Sequence, residues 1–292
     1  MKIALITTYP KAEEVGRIKE EVEARGDKFI LVDFNKFGFS VFNNNLIMNE
    51  ISNLSVDVVI IRGIFIAIQA ITPLVDYFKS RGVKVFDNNL STHKYAINKV
   101  ADYIKLSLGD ILVPNTYYSR QFENYFEFAE KLTYPVILKS IRMGKGASVV
   151  KLNDRKDLED YIQQYKKDTE EETAKNLMMQ EFISYKYDLR IFVVGEEAFS
   201  MRRIPSKDDF RANFSLGGSV EPFEISEEVK SLAIKAIRAV GLDIAGVDVL
   251  LDENNKAYLL EVNHTPGMLG IEKATGKNIT KMYVEYAVKN AL

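Results

Sequence analysis

The 292-residue chain has no cysteine, which excludes disulfides, thiolate metal sites and cysteine nucleophiles. Histidine is nearly as scarce, with 2 in the whole sequence. An excess of charge of one sign is also lacking, because 39 Lys and Arg stand against 41 Asp and Glu. A net charge of -2 gives no global attraction to phosphate backbones or anionic lipid, so nucleic acid is not an implied partner. Long hydrophobic runs are missing too: the longest apolar stretch, 58–75, is broken by Arg62, Gly63, Gln69 and Pro73 and makes a poor membrane span. The apolar run from Ile3 to Ile6 is too short for the core of a secretory signal. No membrane partner is therefore expected, and the cytoplasm is the expected location.

What is present is ordinary for a globular protein, with 47% hydrophobic and 27% charged residues. The length predicts two or three packed subdomains. Apolar strands at 2–7, 29–32, 58–61 and 83–86 alternate with helical patterns at 13–25 and 72–81, which predicts a parallel sheet. Ligands of such sheets sit beyond the carboxyl ends of the strands, so the loops after Thr7 and Ile61 are candidate substrate loops, with Arg62 a carboxylate clamp or a structural ion pair. From about Asn88 the pattern changes to helices at 93–106 and 121–132, strands at 134–139 and 147–152, and a helix at 155–165. The charged run 168–173 reads as a solvated, mobile connection. A third region from Leu177 holds strands at 177–183, 189–194 and 198–203, a helix at 226–240 and the segment 246–262. The expected division is 1–88, 89–176 and 177–292.

The sharpest local pattern is a pair of strands, 246–251 and 257–263, around the turn 252–256. If Asn254 and Asn255 form a two-residue turn, paired positions sum to 509 and Asp248 lies opposite Glu261. Glu261 and Asn263 share a face by alternation. Opposed carboxylates flanked by Val and Leu repel unless a cation or a shared proton lies between them. Asp248, Glu261 and Asn263 thus suit Mg²⁺, which takes oxygen ligands, although a solvent-facing edge with coincidentally paired acids has the same pattern.

Two further segments carry weaker signals. Lys139 is followed by Gly144, Lys145 and Gly146, where exposed backbone N–H groups and two ammonium groups would attract an anion, or where the chain simply turns. It lies between two strands and is not a Walker loop. Arg203 and Arg211, with Asn213 and the pair Gly217 and Gly218 close behind, could clamp phosphate or form a charged surface loop.

Taken together, these segments resemble the ATP-grasp superfamily, and within it the RimK-like ligases that add glutamate or related amino acids to a carboxyl terminus. The resemblance is carried by Gln180, Glu181, Phe182 and Ile183 with Asp188, Leu189 and Arg190; by Phe210, Arg211, Ala212 and Asn213; by Gly246 to Asp248; and by Glu261, Val262 and Asn263 with Pro266 and Gly267. It implies an α/β (α+β) fold of an N-terminal parallel-sheet domain, a small central lid domain and a C-terminal antiparallel-sheet domain. It implies ATP contacts for Lys99, Lys139, Gly144, Lys145, Gly146, Gln180, Glu181, Phe182, Ile183, Asp188 and Arg211, and catalytic positions at Arg203, Arg211 and Asn213. The same resemblance assigns Asp248, Glu261 and Asn263 to two Mg²⁺ or Mn²⁺ ions.

The implied reaction converts a carboxylate to an acyl phosphate, which an amine then attacks. No protein nucleophile is needed, which suits a chain without cysteine. Implied partners are a glutamate-like amino acid and a protein, peptide or small-molecule carboxylate; the implied assembly is a dimer or tetramer. Ligation of a small metabolite, closure of a peptide ring and a non-catalytic ATP-binding module are the alternatives. The chain departs from the resemblance in two places: family members typically have a small residue where this one has His264, and its glycine loop is shorter than the usual flap.

Overall fold

The computed structural model describes residues 1–43, 45–64, 68–87, 99–141, 149–185, 187–204 and 219–292. The chain opens with β1 (Lys2–Thr7), α1 (Glu13–Ala24) and β2 (Lys28–Asp33), then a small hairpin of β3 (Phe39–Phe42) and β4 (Asn45–Met48), then β5 (Val58–Ile61), α2 (Ile68–Ser80) and β6 (Lys84–Phe86). The order β2-β1-β5-β6 is parallel throughout, as the alternation of strands and helices predicts. β1 is buried from Ile3 to Thr7 because helices cover both faces of such a sheet. The exposed β3–β4 hairpin carries no alternation that separates it from a loop, and the sequence reading missed it.

The next elements are α3 (Lys99–Leu108), β7 (Thr116–Tyr117), α4 (Asn124–Leu132), β8 (Val136–Ser140), β9 (Val149–Leu152), α5 (Arg155–Thr169) and β10 (Leu177–Glu181). They make an antiparallel sheet of order β7-β10-β8-β9. Two expectations need revising here. The strand at Leu177 pairs with β8 and so belongs to the central sheet, not to the start of the third region. The run 168–173 begins as the last turn of α5, and Glu171 is pinned by the Asn176 amide at 2.7 Å and the Tyr165 hydroxyl at 3.0 Å.

The remaining chain forms β11 (Asp188–Val194), β12 (Glu197–Ile204), β13 (Ser219–Pro222), α6 (Glu227–Val240), β14 (Ile244–Leu251), β15 (Ala257–Asn263), α7 (Leu269–Thr275) and α8 (Ile279–Asn290). The sheet is antiparallel in the order β13-β12-β11-β14-β15. Ser226 starts α6 by accepting the Val229 N–H, and Gly241 ends it at a φ of 84°, a conformation that suits glycine.

Core packing shows which layers share a core. One face of the first sheet packs on α2 through Ile71, Leu74 and Phe78. Its other face shares a cluster with Phe192 and Val194 of β11 and with Tyr283 and Val284 of α8. The carboxy-terminal sheet buries Ile191, Val247 and Leu259 against Ala233 and Ile237 of α6. The central sheet has a separate core of Tyr125, Val136, Leu138, Leu158 and Ile162. First and third sheets are thus welded by a common core, while the central sheet faces the third across a cleft. Among the described residues no helix is long and apolar enough to cross a membrane.

Candidate active site

Asp248 of β14 pairs directly with Glu261 of β15, the juxtaposition expected from the sequence, but the route to it differs. Near the tip the pairs Leu251 with Ala257 and Leu250 with Tyr258 sum to 508, so the loop holds three residues, not two. Asn255 takes a φ of 61°, and Asp252 Oδ1 accepts N–H bonds from Asn254 and Lys256, the pattern of a type I turn closed by a left-handed residue. A bulge between Asp248 and Val249 then adds one residue on β15 and restores the sum of 509 at the carboxylates. The bulged residue is Leu260, left out of the ladder, and its carbonyl accepts the Tyr103 hydroxyl of α3 at 2.5 Å.

Around this pair the carboxy-terminal sheet builds a ladder of alternating charge. Register places Asp188 of β11 beside Arg203 of β12, and Arg190 of β11 beside Asp248 of β14. Arg203 donates to Asp188 at 2.9 Å and to Asp248 at 3.0 Å, and Arg190 donates to both oxygens of Asp248. All but Arg190 are nearly inaccessible, at 4% for Asp188, 5% for Arg203 and 8% for Asp248. Burial opposes ionisation of Asp248, but Arg190 and Arg203 outweigh it and hold the carboxyl down at about 2. For Asp188 burial prevails and pushes the carboxyl up, with Arg203 pulling against it. Burial opposes the charge on Arg203 as well, yet Asp248 and Asp188 together raise it further above its ordinary range.

The opposite wall is largely apolar, and among the described residues it carries ammonium groups at Lys139 and Lys99. Lys139 on β8 is 7% exposed, donates to the Tyr103 hydroxyl at 3.0 Å and lies 4.8 Å from the centre of that ring. Burial lowers it to about 8, against the pull of Glu261 and Asp248. Lys99, at the start of α3, reaches Glu261 at 3.5 Å. Ile137, Val149, Phe182 and Ile183 complete this side. The Glu181 carboxylate turns away to accept the backbone and side-chain N–H groups of Asn115, both at 2.8 Å. Gln180 likewise spends its amide on Thr116, at 2.6 Å, so this segment offers the cleft mainly backbone.

One cleft of about 850 Å³, open to solvent, therefore brings together Lys99, Lys139, Gln180 to Ile183, Asp188, Arg203, Asp248 and Glu261. Asn263 follows on the same face of β15, and its side-chain oxygen accepts the Thr265 N–H at 3.0 Å. Gly144, Lys145, Gly146, Arg211 and Asn213 lie outside the described residues. Among the described residues Arg62 makes no ion pair: its guanidinium donates to the Pro266 carbonyl and sits 5.2 Å from the Tyr283 ring centre.

Sequence reasoning gave no role to Arg190 or Tyr103. Arg190 was within reach, since it lies two residues after Asp188 and so on the same face of a strand. Tyr103 carries no local signal, because its partners Lys139 and Leu260 are distant in the chain.

The donor set fits a hard divalent cation. Among the described residues no three His, Cys, Asp or Glu side chains converge, but Mg²⁺ commonly takes only one or two carboxylates and completes its shell with water and phosphate oxygens. Three of the lone-pair directions of Asp248 are taken by guanidinium N–H groups, which leaves capacity for a metal beside Glu261.

Comparison with known proteins agrees with this architecture. A model of the RimK-like ATP-grasp domain matches residues 91–287. A probable alpha-L-glutamate ligase of Shewanella amazonensis is 30% identical over 299 residues, covering 99% of this chain and 96% of that protein. The structure of the ATP-grasp ligase PsnB complexed with minimal precursor, Mg and ADP superposes with a TM-score of 0.74 at 20% identity, covering 98% of this chain and 96% of that one. The macrocyclase MdnC bound with precursor peptide MdnA, from Microcystis aeruginosa, gives 0.71 at 15% identity, covering 99% and 100%.

Proposed function

We propose, from the premise that this chain belongs to the RimK-like ATP-grasp family of ligases, that it joins a glutamate-like amino acid to the carboxyl group of a peptide or protein through an acyl phosphate. The observation that carries the reading is the convergence of Lys139, Arg203, Asp248 and Glu261 on one cleft that residues 180–183 also line. Glutamate is supported by the name of the relative, and a peptide acceptor by the precursor-bound neighbours.

In this reading the apolar segment Phe182 and Ile183 sandwiches the base, the adjoining backbone reads its edge, and Asp188 takes the ribose hydroxyls. Lys99 and Lys139 hold the phosphates, joined by Lys145 and Arg211 and by the N–H groups of Gly144 and Gly146. Asp248, Glu261 and Asn263 would hold Mg²⁺, in the proposed pair of ions, whose charge neutralises the phosphate oxygens. Arg203 lines the cleft, and with Arg211 and Asn213 it is assigned to stabilising the charge that develops on the transferred group.

The acceptor carboxylate attacks the terminal phosphorus of ATP, ADP leaves, and the mixed anhydride gives the acceptor carbon a leaving group that an amine can displace. Phosphate departs as the amide forms, and the amine's proton passes to solvent. Positioning and charge neutralisation carry the reaction, as the residues present allow. The acceptor is assigned to the carboxyl ends of β1 and β5, where Tyr9 stands 54% exposed beside Gly63.

The decisive experiment offers ATP, Mg²⁺, mixed amino acids and a peptide extract, then follows ADP release and product mass. A glutamyl increment on a peptide is the expected result. A dehydrated peptide would show ring closure instead, a modified metabolite would move the acceptor class, and tight ATP binding without ADP release would mark a non-catalytic module.

A further inference from the structure

We propose that His264 and Asp102 form a positioning pair that fixes the helix carrying Lys99 against the strand end carrying Asn263, and that this fit sets how tightly the cleft takes Mg²⁺ with its nucleotide. The inference rests on the ligase reading above. His264 Nε2 and Asp102 Oδ2 stand 2.9 Å apart with side-chain exposures of 11% and 8%. Asp102 lies one helical turn after Lys99, so both point to the same side of α3. Three ties from that helix consequently reach β15 and its continuation: Lys99 to Glu261, Tyr103 to the Leu260 carbonyl, and Asp102 to His264.

The segment after β15 is held from two further directions. A Cβ on Gly246 of β14 would stand 2.9 Å from Pro266 Cβ, so the strand packs against the segment as closely as glycine permits. Arg62, at the end of β5, donates to the Pro266 carbonyl. The link to α3 through His264 adds a further restraint at the position beside Asn263.

A filler role fits the chemistry poorly. Asp102 Oδ1 has no hydrogen-bond partner among the described residues, so a carboxylate is kept in a buried place where one of its oxygens is unsatisfied. An apolar residue would fill that space at lower cost, whereas a carboxylate orients an imidazole. Carboxylates orient metal-binding histidines in the same manner; here the imidazole hands the constraint to the adjoining Asn263 through the backbone.

The test measures Mg²⁺-dependent binding of ATP by thermal shift, alongside ADP formation, for wild type, His264→Ala, His264→Gln, His264→Asn and Asp102→Ala. Gln places its amide nitrogen near the position of Nε2 and reaches Asp102, whereas Asn places it near Nδ1 and does not. His264→Ala and His264→Asn are expected to raise the Mg²⁺ needed for half-saturation about 10-fold to 100-fold. His264→Gln should recover most of that loss, and combining His264→Ala with Asp102→Ala should cost no more than either alone. If His264→Ala does not fold, the contrast of Gln with Asn decides. Equal Mg²⁺ dependence in wild type, Asn and Gln variants, with only melting temperature altered, would overturn the pair while leaving the ligase reading intact. Absence of Mg²⁺-dependent ATP binding in the wild type would instead overturn the ligase reading, and the pair with it.

Discussion

The two walls of the cleft differ in how they manage charge. The carboxy-terminal sheet buries Asp188, Arg203 and Asp248 and half-buries Arg190 as a ladder in which each group has an opposite charge on a neighbouring strand. Among its described residues the central sheet buries a single ammonium, Lys139, near Ile137, Val149 and Phe182, and its hydrogen bond goes to a phenol. A buried ladder is rigid because removing one rung strands its partners in a poor solvent. A lone buried cation is a poised site, since an incoming anion relieves a cost already present in the folded chain. On the proposed function, the contrast assigns geometry to the charged wall and affinity for the incoming anion to the apolar wall.

Breaking the charged wall should have the largest effect. Glu261→Gln, which removes a rim carboxylate without stranding a buried arginine, is expected to cut ADP formation by about 10²-fold to 10³-fold with an unchanged melting temperature. Asp248→Ala should abolish turnover, and also cost about 3–5 kcal/mol of stability in denaturant titrations because Arg190 loses its carboxylate and Arg203 one of its two. Retained turnover in either variant would remove the metal assignment.

The apolar wall is sharpened by Lys139→Ala, expected to raise the KM for ATP by roughly 10-fold to 100-fold through loss of a charge-assisted hydrogen bond. Its pH signature is distinctive. Lys139 titrates near 8 in the folded chain, below the ordinary 10.5 of an unfolded lysine, so the unfolded state binds more protons between those values. Its contribution to stability therefore rises as pH climbs from about 8 toward 10.5. Bound phosphates draw the group back to the charged form, so ATP binding at pH 8 should take up a fraction of a proton. Calorimetry in buffers of different ionisation heat would show this uptake in the wild type and its loss in Lys139→Ala.

A smaller effect is expected from Phe182→Ala on the same wall. Lys151 lies 3.8 Å from that ring centre, and losing the aromatic face should raise the KM for ATP about threefold to tenfold with kcat unchanged. The smallest change belongs to the hairpin tip, where Asn255→Gly at a φ of 61° should alter stability by less than about 1 kcal/mol and leave turnover alone. A loss of activity there would mean that the tip, not the ladder, holds the carboxylates in place.

Much of this was legible in the sequence for identifiable reasons. Continuous apolar runs such as Ile3 to Ile6 announce a parallel sheet, and the alternation around Glu261 fixes which side chains share a face. The facing of Asp248 and Glu261 was also readable, although the reasoning reached it through two errors that cancel: a turn one residue too short and a bulge left out. What stayed hidden is what depends on strands far apart in the chain. The bond from Arg190 to Asp248 spans 58 residues and exists only because β11 inserts between β12 and β14. Helix α8 gave no sign of its importance, since its buried face meets a sheet formed at the other end of the sequence.

That last packing bears on how such enzymes can be recombined. A graft that moved only 1–87 from a relative, to import its acceptor preference, would set foreign residues at Ile3, Leu5 and Ile60 against a resident Tyr283 and Val284. The interface would be cut through its middle, and the hybrid would lose stability for reasons unrelated to acceptor choice. The inheritable unit is discontinuous: the opening sheet travels intact only in company with the closing helix.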